Sequence, residues 1–347
     1  MTVKKLRVGI IGFGAVGKIR YEILKKNNLV TVISISDQNI DSQKEVLRDL
    51  KLYDNFNLMV ENEELDVVFI ALPNYLAAEA TILCLQNNLN VFCEKPPARN
   101  PKEFREVIAA AEKSPKSKLM YGFNHRFHPS VKKAKDLIES KEFGEVLNLR
   151  GEYGKSAIIK FSKEEWRANR EFSGGGILLD QGIHLLDLMR FFTGSFNLVH
   201  SIVKNSYWNY DVEDNAYALL ESDDGIVGLI HSSATLWRHS FRLEIGLTKG
   251  SISLTGILSS TKSYGNETIK LTKANFDKIG EPEEITLTFM EDTSWFEETN
   301  LFISKILNNQ DIDSGNSQEA LETLELVHNI YKSDPIWNEK FSINKDS

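Results

Sequence analysis

The first third of the chain alternates short apolar runs with segments of helical periodicity. The apolar runs are rich in β-branched residues and lack a regular polar alternation, which indicates strands buried on both faces of a parallel sheet. These runs are "LRVGIIGFG", "VTVISISD", "DVVFIALP", "NVFCE" and "KLMYGF". The segments between them predict helices at residues 15–27, 42–52, 76–87 and 101–113. This order predicts a doubly wound α/β domain over residues 1–123.

The remaining residues, 124–347, follow a different pattern. One predicted helix begins near Gly176, and many strand-like runs come after it. The runs are "FNLVHSIVKNSYW", "NAYALLES", "GIVGLIHSSATL", "FRLEIGLT", "GSISLTG", "ETIKLT" and "EEITLTF", with hairpin-type turns at "SDDG" and "TKG". Two further helices are predicted at residues 295–308 and 317–332. We therefore predict an α+β domain over residues 124–347, built on a large, mostly antiparallel open sheet.

Composition and net charge argue against some classes of binding partner. The 347 residues carry a net charge of −8 (41 basic minus 49 acidic) without a basic run, which argues against nucleic acid. No apolar stretch reaches the roughly 18 residues of a membrane span, and the N-terminal apolar run breaks at glycines, unlike a signal peptide. Cys84 and Cys93 lie in apolar segments without metal-type spacing, which predicts buried, reduced thiols in a cytoplasmic protein.

A glycine motif lies directly after the first predicted strand and opens the first helix. In "VGIIGFGAVG" the pattern is Gly12-x-Gly14-x-x-Gly17. Glycine permits the tight turn, the close approach of a pyrophosphate and close contact between helix and strand, and the helix N-terminus attracts phosphate. The motif predicts a Rossmann-type dinucleotide site, with these cofactor-binding residues: Gly12, Phe13, Gly14, Ala15, Val16 and Gly17.

Two more strand ends carry candidate cofactor residues. Asp37 closes the second strand, 25 residues beyond Gly12, near the separation expected for a ribose-binding carboxylate. Such a carboxylate repels a 2′-phosphate, so it predicts NAD rather than NADP; a polar strand terminus is the alternative interpretation. Leu72, Pro73 and Asn74 end the next strand and are expected beside the cofactor. Turn formation explains Pro73-Asn74 equally well.

The strand "NVFCE" ends at the same sheet edge with Glu94 and is followed by Lys95. This position lies near the expected nicotinamide, and Pro96 and Pro97 restrict the backbone after the lysine. The sequence thus predicts that Glu94 and Lys95 belong to the site. Taken alone, the two opposite charges could equally form a surface salt bridge.

A second constellation lies in "SGGGILLDQGIHLLDLMRFF". The predicted helix carries Asp180, His184 and Asp187, and spacings of four and seven place all three on one face. The other positions are apolar, so a solvated surface does not explain the three polar residues. A satisfied core histidine and a metal site are the alternatives. With one nearby histidine and no third ligand at suitable spacing, no metal is expected.

Together these motifs resemble the Gfo/Idh/MocA oxidoreductases, the glucose–fructose oxidoreductase and inositol dehydrogenase types. The resemblance is carried by the glycine motif, by Glu94-Lys95-Pro96, by "GFNHRF" at residues 122–127 and by "WRANREFSGGGILLDQGIHLLD" at residues 166–187. It extends in order over nearly the whole chain. One departure is Ala77, where many members carry a histidine three residues beyond the asparagine. That departure puts a contact at this position in doubt, but not the redox core.

The resemblance implies a redox site of Lys95, Asp180 and His184 around a hydroxyl of a sugar, cyclitol or nucleotide sugar. A neutral histidine can accept the hydroxyl proton, and a lysine can stabilise the charge that develops on oxygen. His184 and Lys95 are assigned these roles, which could be exchanged. Asp180 orients His184 or holds a neighbouring hydroxyl, and Glu94 holds Lys95.

The same resemblance implies four residues that border the substrate: Asn124, Arg126, Trp166 and Arg167. For Arg167 a structural ion pair is an equal alternative. Four further polar or aromatic residues are left outside the predicted site, because strand-rich domains commonly carry such residues without function: His231, Trp237, Arg238 and His239.

The predicted function is that of an NAD(P)-dependent oxidoreductase acting on a carbohydrate CH–OH group. Two alternatives on the same scaffold are an NAD-retaining glycoside hydrolase and a non-enzymatic NAD-binding regulator. The resemblance also implies a homodimer or homotetramer through the sheet of the second domain, since an exposed apolar sheet face needs cover.

Overall fold

The computed structural model describes residues 5–40, 47–155, 165–259, 263–276 and 279–343. The chain forms two compact units, one of Met1–Phe123 with Trp295–Leu321 and the other of Asn124–Ser294 with Glu322–Ser347. The sequence-based division also falls between residues 123 and 124, but it assigned residues 295–321 to the second domain. In the structure, that segment packs within the first unit.

Helices and strands alternate in the first unit, and strands predominate in the second. The strands are β1 (Leu6–Ile11), β2 (Val30–Ser36), β3 (Lys51–Tyr53), β4 (Val67–Ile70), β5 (Asn90–Glu94), β6 (Leu119–Gly122), β7 (Val146–Gly154), β8 (Leu198–Lys204), β9 (Asn215–Glu221), β10 (Val227–Ser233), β11 (Ser240–Leu247), β12 (Gly250–Thr255), β13 (Glu267–Lys273) and β14 (Glu284–Phe289). The helices are α1 (Ala15–Lys26), α2 (Phe56–Asn62), α3 (Asn74–Gln86), α4 (Pro101–Lys113), α5 (Pro129–Glu139), α6 (Arg170–Ser173), α7 (Ile183–Thr193), α8 (Ser294–Leu307), α9 (Ser317–Ser333) and α10 (Pro335–Phe341). None of the described helices is both long and apolar enough to cross a membrane.

The first unit contains a six-stranded sheet in the order β3-β2-β1-β4-β5-β6, and every neighbouring pair is parallel. This arrangement confirms the predicted doubly wound sheet. The helix predicted at residues 42–52 is wrong at its C-terminal end, where Lys51–Tyr53 pairs with β2 as a sixth strand. Residues 42–46 of that prediction lie outside the described residues.

Aromatic packing explains why the late helix α8 belongs to the first unit. Phe302 of α8 contacts Phe69 of β4 and Phe92 of β5, with ring centroids 5.9 and 5.5 Å apart. The rings of Phe69 and Phe92 stack on each other, with their centroids 5.0 Å apart. All three side chains are almost fully removed from solvent, so α8 completes the apolar cover on the sheet.

A buried charge lies within this aromatic core. Arg20 of α1 is 1% exposed, and its guanidinium lies 4.3 Å from the Phe92 ring centroid. It donates hydrogen bonds to Glu94 at 2.7 Å and to Glu298 at 2.5 Å. Burial opposes the charge, but the two carboxylates outweigh it and raise the pKa of Arg20. A cation without carboxylate partners would be costly here, so the network has to form as a whole.

The second unit contains an eight-stranded sheet in the order β14-β13-β12-β11-β7-β10-β9-β8. Only the β7–β10 pair is parallel among these neighbours, which confirms the large, mostly antiparallel sheet. The sequence did not predict the central strand β7. Its apolar pattern is interrupted at Gly151, where an added Cβ would lie 2.6 Å from Leu185 of α7. The helix therefore packs directly on this glycine.

We expect Arg20→Met to destabilise the first unit by about 3–5 kcal/mol, because it leaves Glu94 and Glu298 without their shared cation. Arg99→Met in the same unit is the matched control, since Arg99 pairs with Glu103 while 32% exposed. That control should cost less than about 1 kcal/mol. Equilibrium urea unfolding measures both changes, and equal stability of the two variants would contradict the role given to Arg20.

Candidate functional site

The glycine turn between β1 and α1 has one crowded side and one open side. An added Cβ on Gly17 would lie 2.0 Å from the carbonyl oxygen of Gly12, and one on Gly12 would lie 2.3 Å from that of Ala71. An added Cβ on Gly14 would meet no described atom within 4 Å. The open side lies at the N-terminus of α1, where free N–H groups favour phosphate. The turn therefore fits the pyrophosphate of a dinucleotide.

Asp37 lies directly after β2 and is tied to this turn. Its carboxylate accepts hydrogen bonds from the N–H of Phe13 at 2.7 Å and from the N–H of Asn39 at 2.8 Å. These bonds fix the carboxylate beside the glycine turn while leaving lone pairs for further donors. A ribose hydroxyl is the kind of donor that such a carboxylate can bind.

The Leu72-Pro73-Asn74 segment lies against the same turn, since the close approach of Gly12 is to Ala71, the residue before it. Pro73 precedes α3, and Asn74 begins it with a side chain that is 7% exposed. Ala77 is buried on α3. The predicted cofactor-binding residues that follow β1, β2 and β4 thus lie together in the first unit.

Glu94 and Lys95 occupy the end of β5. The Glu94 carboxylate is held by the buried guanidinium of Arg20, and the Lys95–Pro96 peptide bond is cis. Pro96 and Pro97 are buried, whereas Lys95 is half-buried. The sequence predicted a structural role for Glu94, but it did not identify Arg20 as the partner.

In the second unit, the "SGGG" segment leads into a helix that starts at Ile177. Glu213 is fully buried and accepts hydrogen bonds from the N–H groups of Gly176 at 2.8 Å and Leu178 at 2.9 Å. An added Cβ on Gly176 would lie 2.1 Å from the Glu213 carbonyl oxygen. Glycine is therefore required where this helix meets the residue that caps it.

The helix that carries Asp180, His184 and Asp187 is not regular along its length. Residues Leu178–Gly182 form a π turn before α7, which alters the spacing expected of a regular helix. Asp187 is fully buried and accepts hydrogen bonds from Arg126 at 2.8 and 2.6 Å. The structure therefore places Arg126, which was predicted to border the substrate, in a buried ion pair.

His184 is 4% exposed and stacks on a second histidine. The rings of His125 and His184 lie 3.7 Å apart with an interplanar angle of 10°. The ring nitrogens of His125 lie 3.0 Å from the Tyr153 hydroxyl and 3.1 Å from the Asn124 amide oxygen. Asn124 thus contacts His125, which in turn stacks on His184. The sequence prediction missed His125, although it lies within the "GFNHRF" motif.

Asp180 is paired with a lysine that the sequence prediction also missed. Its carboxylate accepts hydrogen bonds from Lys155 at 3.2 Å and from Gln181 at 2.9 Å. Lys155 follows β7, and its N–H donates to Ser233 at the end of β10. Burial, followed by the neighbouring phenol of Tyr264, raises the pKa of Tyr153 well above its ordinary value. Tyr153 therefore stays a neutral hydroxyl beside the histidines.

Trp166 and Arg167 lie together in a short 3₁₀ turn, with the Arg167 guanidinium 4.2 Å from the Trp166 ring centroid. This cation–π contact holds the guanidinium over the ring.

Within the described ranges, no group of three or more His, Cys, Asp or Glu side chains is arranged to hold a metal ion.

Two family models match the chain in consecutive segments. Residues 6–123 match the oxidoreductase family with an NAD-binding Rossmann fold, and residues 131–253 match the GFO/IDH/MocA C-terminal domain. D-glucoside 3-dehydrogenase of Escherichia coli is 29% identical over 270 residues, covering 71% of this chain and 73% of that protein. Myo-inositol 2-dehydrogenase of Thermotoga maritima is 27% identical over 270 residues, covering 74% and 77%.

Solved structures show the same fold. A levoglucosan dehydrogenase in complex with NADH and levoglucosan gives a TM-score of 0.81 at 22% identity, covering 95% of this chain and 97% of that one. Myo-inositol 2-dehydrogenase from Lactobacillus plantarum gives a TM-score of 0.80 at 22% identity, covering 96% and 98%. The fold of the whole chain is therefore that of a known group of two-domain proteins.

Gly14→Ala should leave the stability unchanged and weaken NADH binding by about tenfold or more, which is roughly 1.4 kcal/mol. The added methyl meets no described atom, but it occupies the side where the pyrophosphate would approach. Gly17→Ala is the contrasting variant, because its methyl would overlap a backbone carbonyl and lower the melting temperature. Thermal melts and NADH fluorescence titration separate the two effects. Wild-type NADH affinity in Gly14→Ala would contradict the assignment.

Proposed function

The chain belongs to the GFO/IDH/MocA oxidoreductase family, and on this premise we propose that it oxidises or reduces a carbon of a sugar, cyclitol or nucleotide sugar. The observation that carries the proposal is His184, buried in the second unit on a helix that also bears Asp180. Relatives named for glucoside and inositol oxidation support a carbohydrate as the substrate class.

NAD is proposed as the cofactor in preference to NADP. The carboxylate of Asp37, which is fixed by the N–H groups of Phe13 and Asn39, supports this choice. A carboxylate at this position would accept hydrogen bonds from ribose hydroxyls and repel a 2′-phosphate. The nicotinamide would supply the hydride chemistry, taking a hydride from the alcohol carbon or returning it to the carbonyl carbon. The residues of this chain have to bind the substrate and move the proton.

His184 is proposed to accept the proton of the reacting hydroxyl as the carbon loses its hydride. In the reverse reaction, His184 returns that proton to the oxygen. Lys95 is proposed to donate a hydrogen bond to the same oxygen and to stabilise its negative charge. The position of Lys95 after a fixed strand end supports this role, since a preorganised donor needs no rearrangement during the reaction.

His125 is proposed to keep the imidazole of His184 in place. The two rings stack at 3.7 Å with nearly parallel planes, so the His125 ring restricts rotation of the His184 ring. The hydrogen bonds of His125 to Tyr153 and Asn124 fix its own plane. His184 therefore has a neighbour that restrains the orientation of its ring.

Asp180 is proposed to hold a second hydroxyl of the substrate. Lys155 and Gln181 already donate to its Oδ2 atom, which holds the carboxylate in place. An ionised carboxylate is an acceptor only, and a polyol offers hydroxyl donors. Lys155 would in turn donate to an oxygen of the same ring. Trp166 and Arg167 are kept as proposed substrate neighbours, on the basis of their position in the family motif.

An apolar patch on the second sheet supports a homodimer or homotetramer. Its side chains lie on paired strands and are 42–55% exposed: Ile202, Tyr217, Leu219 and Leu229. Such a contiguous exposed patch is typical of an interface. The isologous contact of two copies would remove it from water.

A dehydrogenase screen tests the function. It covers inositols, hexoses, glucosides, levoglucosan and UDP-sugars, each with NAD and with NADP. We expect formation of reduced nicotinamide with at least one of them and higher kcat/KM with NAD. A preference for NADP would overturn the role of Asp37. Turnover without net nicotinamide reduction would instead favour the glycoside hydrolase.

Lys95→Met and His184→Asn should each lower kcat/KM by about 10²–10⁴-fold, because each removes a group that acts on the reacting oxygen. NADH binding, measured by fluorescence titration, should persist in both variants. Lys102→Met is a matched control at an exposed position. Wild-type kcat/KM in either site variant would refute its assigned role, and retention of biological activity in both would favour the regulator.

Leu219→Glu combined with Leu229→Glu should convert the wild-type oligomer into a monomer, because the carboxylates would be buried without partners in the interface. Light scattering measures the mass in solution. Thr286→Glu, on the exposed edge strand β14, is the control and should keep the wild-type mass. A monomeric wild type would refute the proposed interface.

A further inference from the structure

An exposed cluster of aromatic side chains lies in the second unit. Tyr207 is 61% exposed and Trp237 is 59% exposed, and their ring centroids lie 5.0 Å apart. Trp208 lies behind them, 5.1 Å from Tyr207 and 6.1 Å from Trp237. We call Tyr207, Trp208 and Trp237 the aromatic platform. Large exposed rings that contact one another are costly to leave in water and commonly mark a binding site.

The loop that carries the platform is held by a buried carboxylate. Asp214 is fully buried and accepts hydrogen bonds from the N–H groups of Ser206 at 2.9 Å, Tyr207 at 2.7 Å and Trp208 at 3.2 Å. The indole N–H of Trp208 donates to the Ala234 carbonyl oxygen at 3.1 Å. The backbone is thus fixed while the Tyr207 ring stays exposed. This is the arrangement expected of a preorganised surface.

The second loop contributes Trp237 in an unusual conformation. Its φ of +55° lies in the left-handed region, which bulky residues rarely adopt. Such residues persist where their surroundings hold them, and they cluster at functional sites. The contacts of Trp237 with Tyr207 and Trp208 are the surroundings that the structure shows.

The aromatic platform lies at the same sheet edge as Asp180 and Lys155. Lys155 donates its N–H to Ser233, and the next residue, Ala234, accepts the indole N–H of Trp208. Trp208 also packs against the small apolar cluster formed by Ala234 and Ile177, and Ile177 is the first residue of the helix that carries Asp180. The platform therefore continues the proposed substrate site within the second unit.

We propose that the aromatic platform binds the second pyranose ring of a glycoside or disaccharide whose first ring is oxidised. This inference rests on the proposed carbohydrate oxidoreductase function. The C–H face of a pyranose is apolar and flat enough to lie on an aromatic ring, and its hydroxyls remain in water. The Lys155–Asp180 pair has no net charge, which suits a neutral sugar more than the diphosphate of a nucleotide sugar.

Kinetics on matched one-ring and two-ring sugars test the platform. The one-ring probes are methyl α- and β-D-glucopyranoside, and the two-ring probes are maltose and cellobiose. Tyr207→Ala and Trp237→Ala should each lower kcat/KM for the preferred disaccharide by about tenfold, in line with the loss of one aromatic contact. The methyl glucosides should be oxidised as by the wild type. Phe276→Ala, at another exposed aromatic ring, is the control.

Other patterns of loss would overturn the proposal. Equal loss on both probe classes would make the platform a structural part of the site, and no loss on either would leave it without a ligand role. Loss with UDP-glucose alone would identify a nucleobase as the occupant. A changed mass in light scattering of the variants would identify an interface between copies.

Direct binding separates this proposal from the proposed function. Isothermal titration calorimetry of the NADH-loaded protein with maltose and with cellobiose measures binding without requiring turnover. Binding that is lost in Trp237→Ala supports the platform even if no probe is oxidised, whereas failure of both disaccharides to bind the wild type would overturn it. Oxidation of one-ring sugars with no such binding would leave the proposed function intact.

Discussion

The buried guanidinium of Arg20 holds together the elements that present the end of β5. A charge removed from water is stable only when its hydrogen bonds are satisfied, and Arg20 meets that condition through Glu94 and Glu298. Glu94 is the last residue of β5, and Lys95 follows it directly. The Arg20–Glu94 contact that stabilises the core therefore also fixes the backbone position of Lys95. Gly122 on the neighbouring strand fits this packing, because an added Cβ would lie 2.8 Å from the Glu94 carboxylate.

In the second unit, two consecutive carboxylates organise the backbone in a similar way. Glu213 binds the first N–H groups of the helix that carries Asp180 and His184. Asp214 binds the N–H groups of the loop that carries Tyr207 and Trp208. Both acids are fully buried, and burial raises the pKa of Glu213. The two adjacent residues before β9 therefore couple the position of the helix that carries Asp180 and His184 to that of the aromatic loop.

The sequence predicted those parts of the structure whose pattern lies in neighbouring residues. Apolar runs predicted five of the six strands in the first sheet, and the glycine spacing predicted the turn after β1. The contacts that the sequence did not reveal join distant residues. Glu298 lies 278 positions from Arg20, and no local pattern in the sequence links the two residues. The strand β7 was missed because Gly151 and polar residues interrupt its apolar pattern, and Lys155 was missed with it.

The buried ionisable residues differ in their surroundings from the aromatic residues proposed to bind a second sugar ring. His184 and Arg20 are buried, so a substitution there disturbs their neighbours as well as the chemistry. Tyr207 and Trp237 expose most of their rings, and the Tyr207 backbone is fixed by Asp214. A change of either exposed ring therefore removes contact area without leaving a buried polar group unsatisfied. On physical grounds, the proposed ring-binding surface can change while the buried contacts around His184 stay the same.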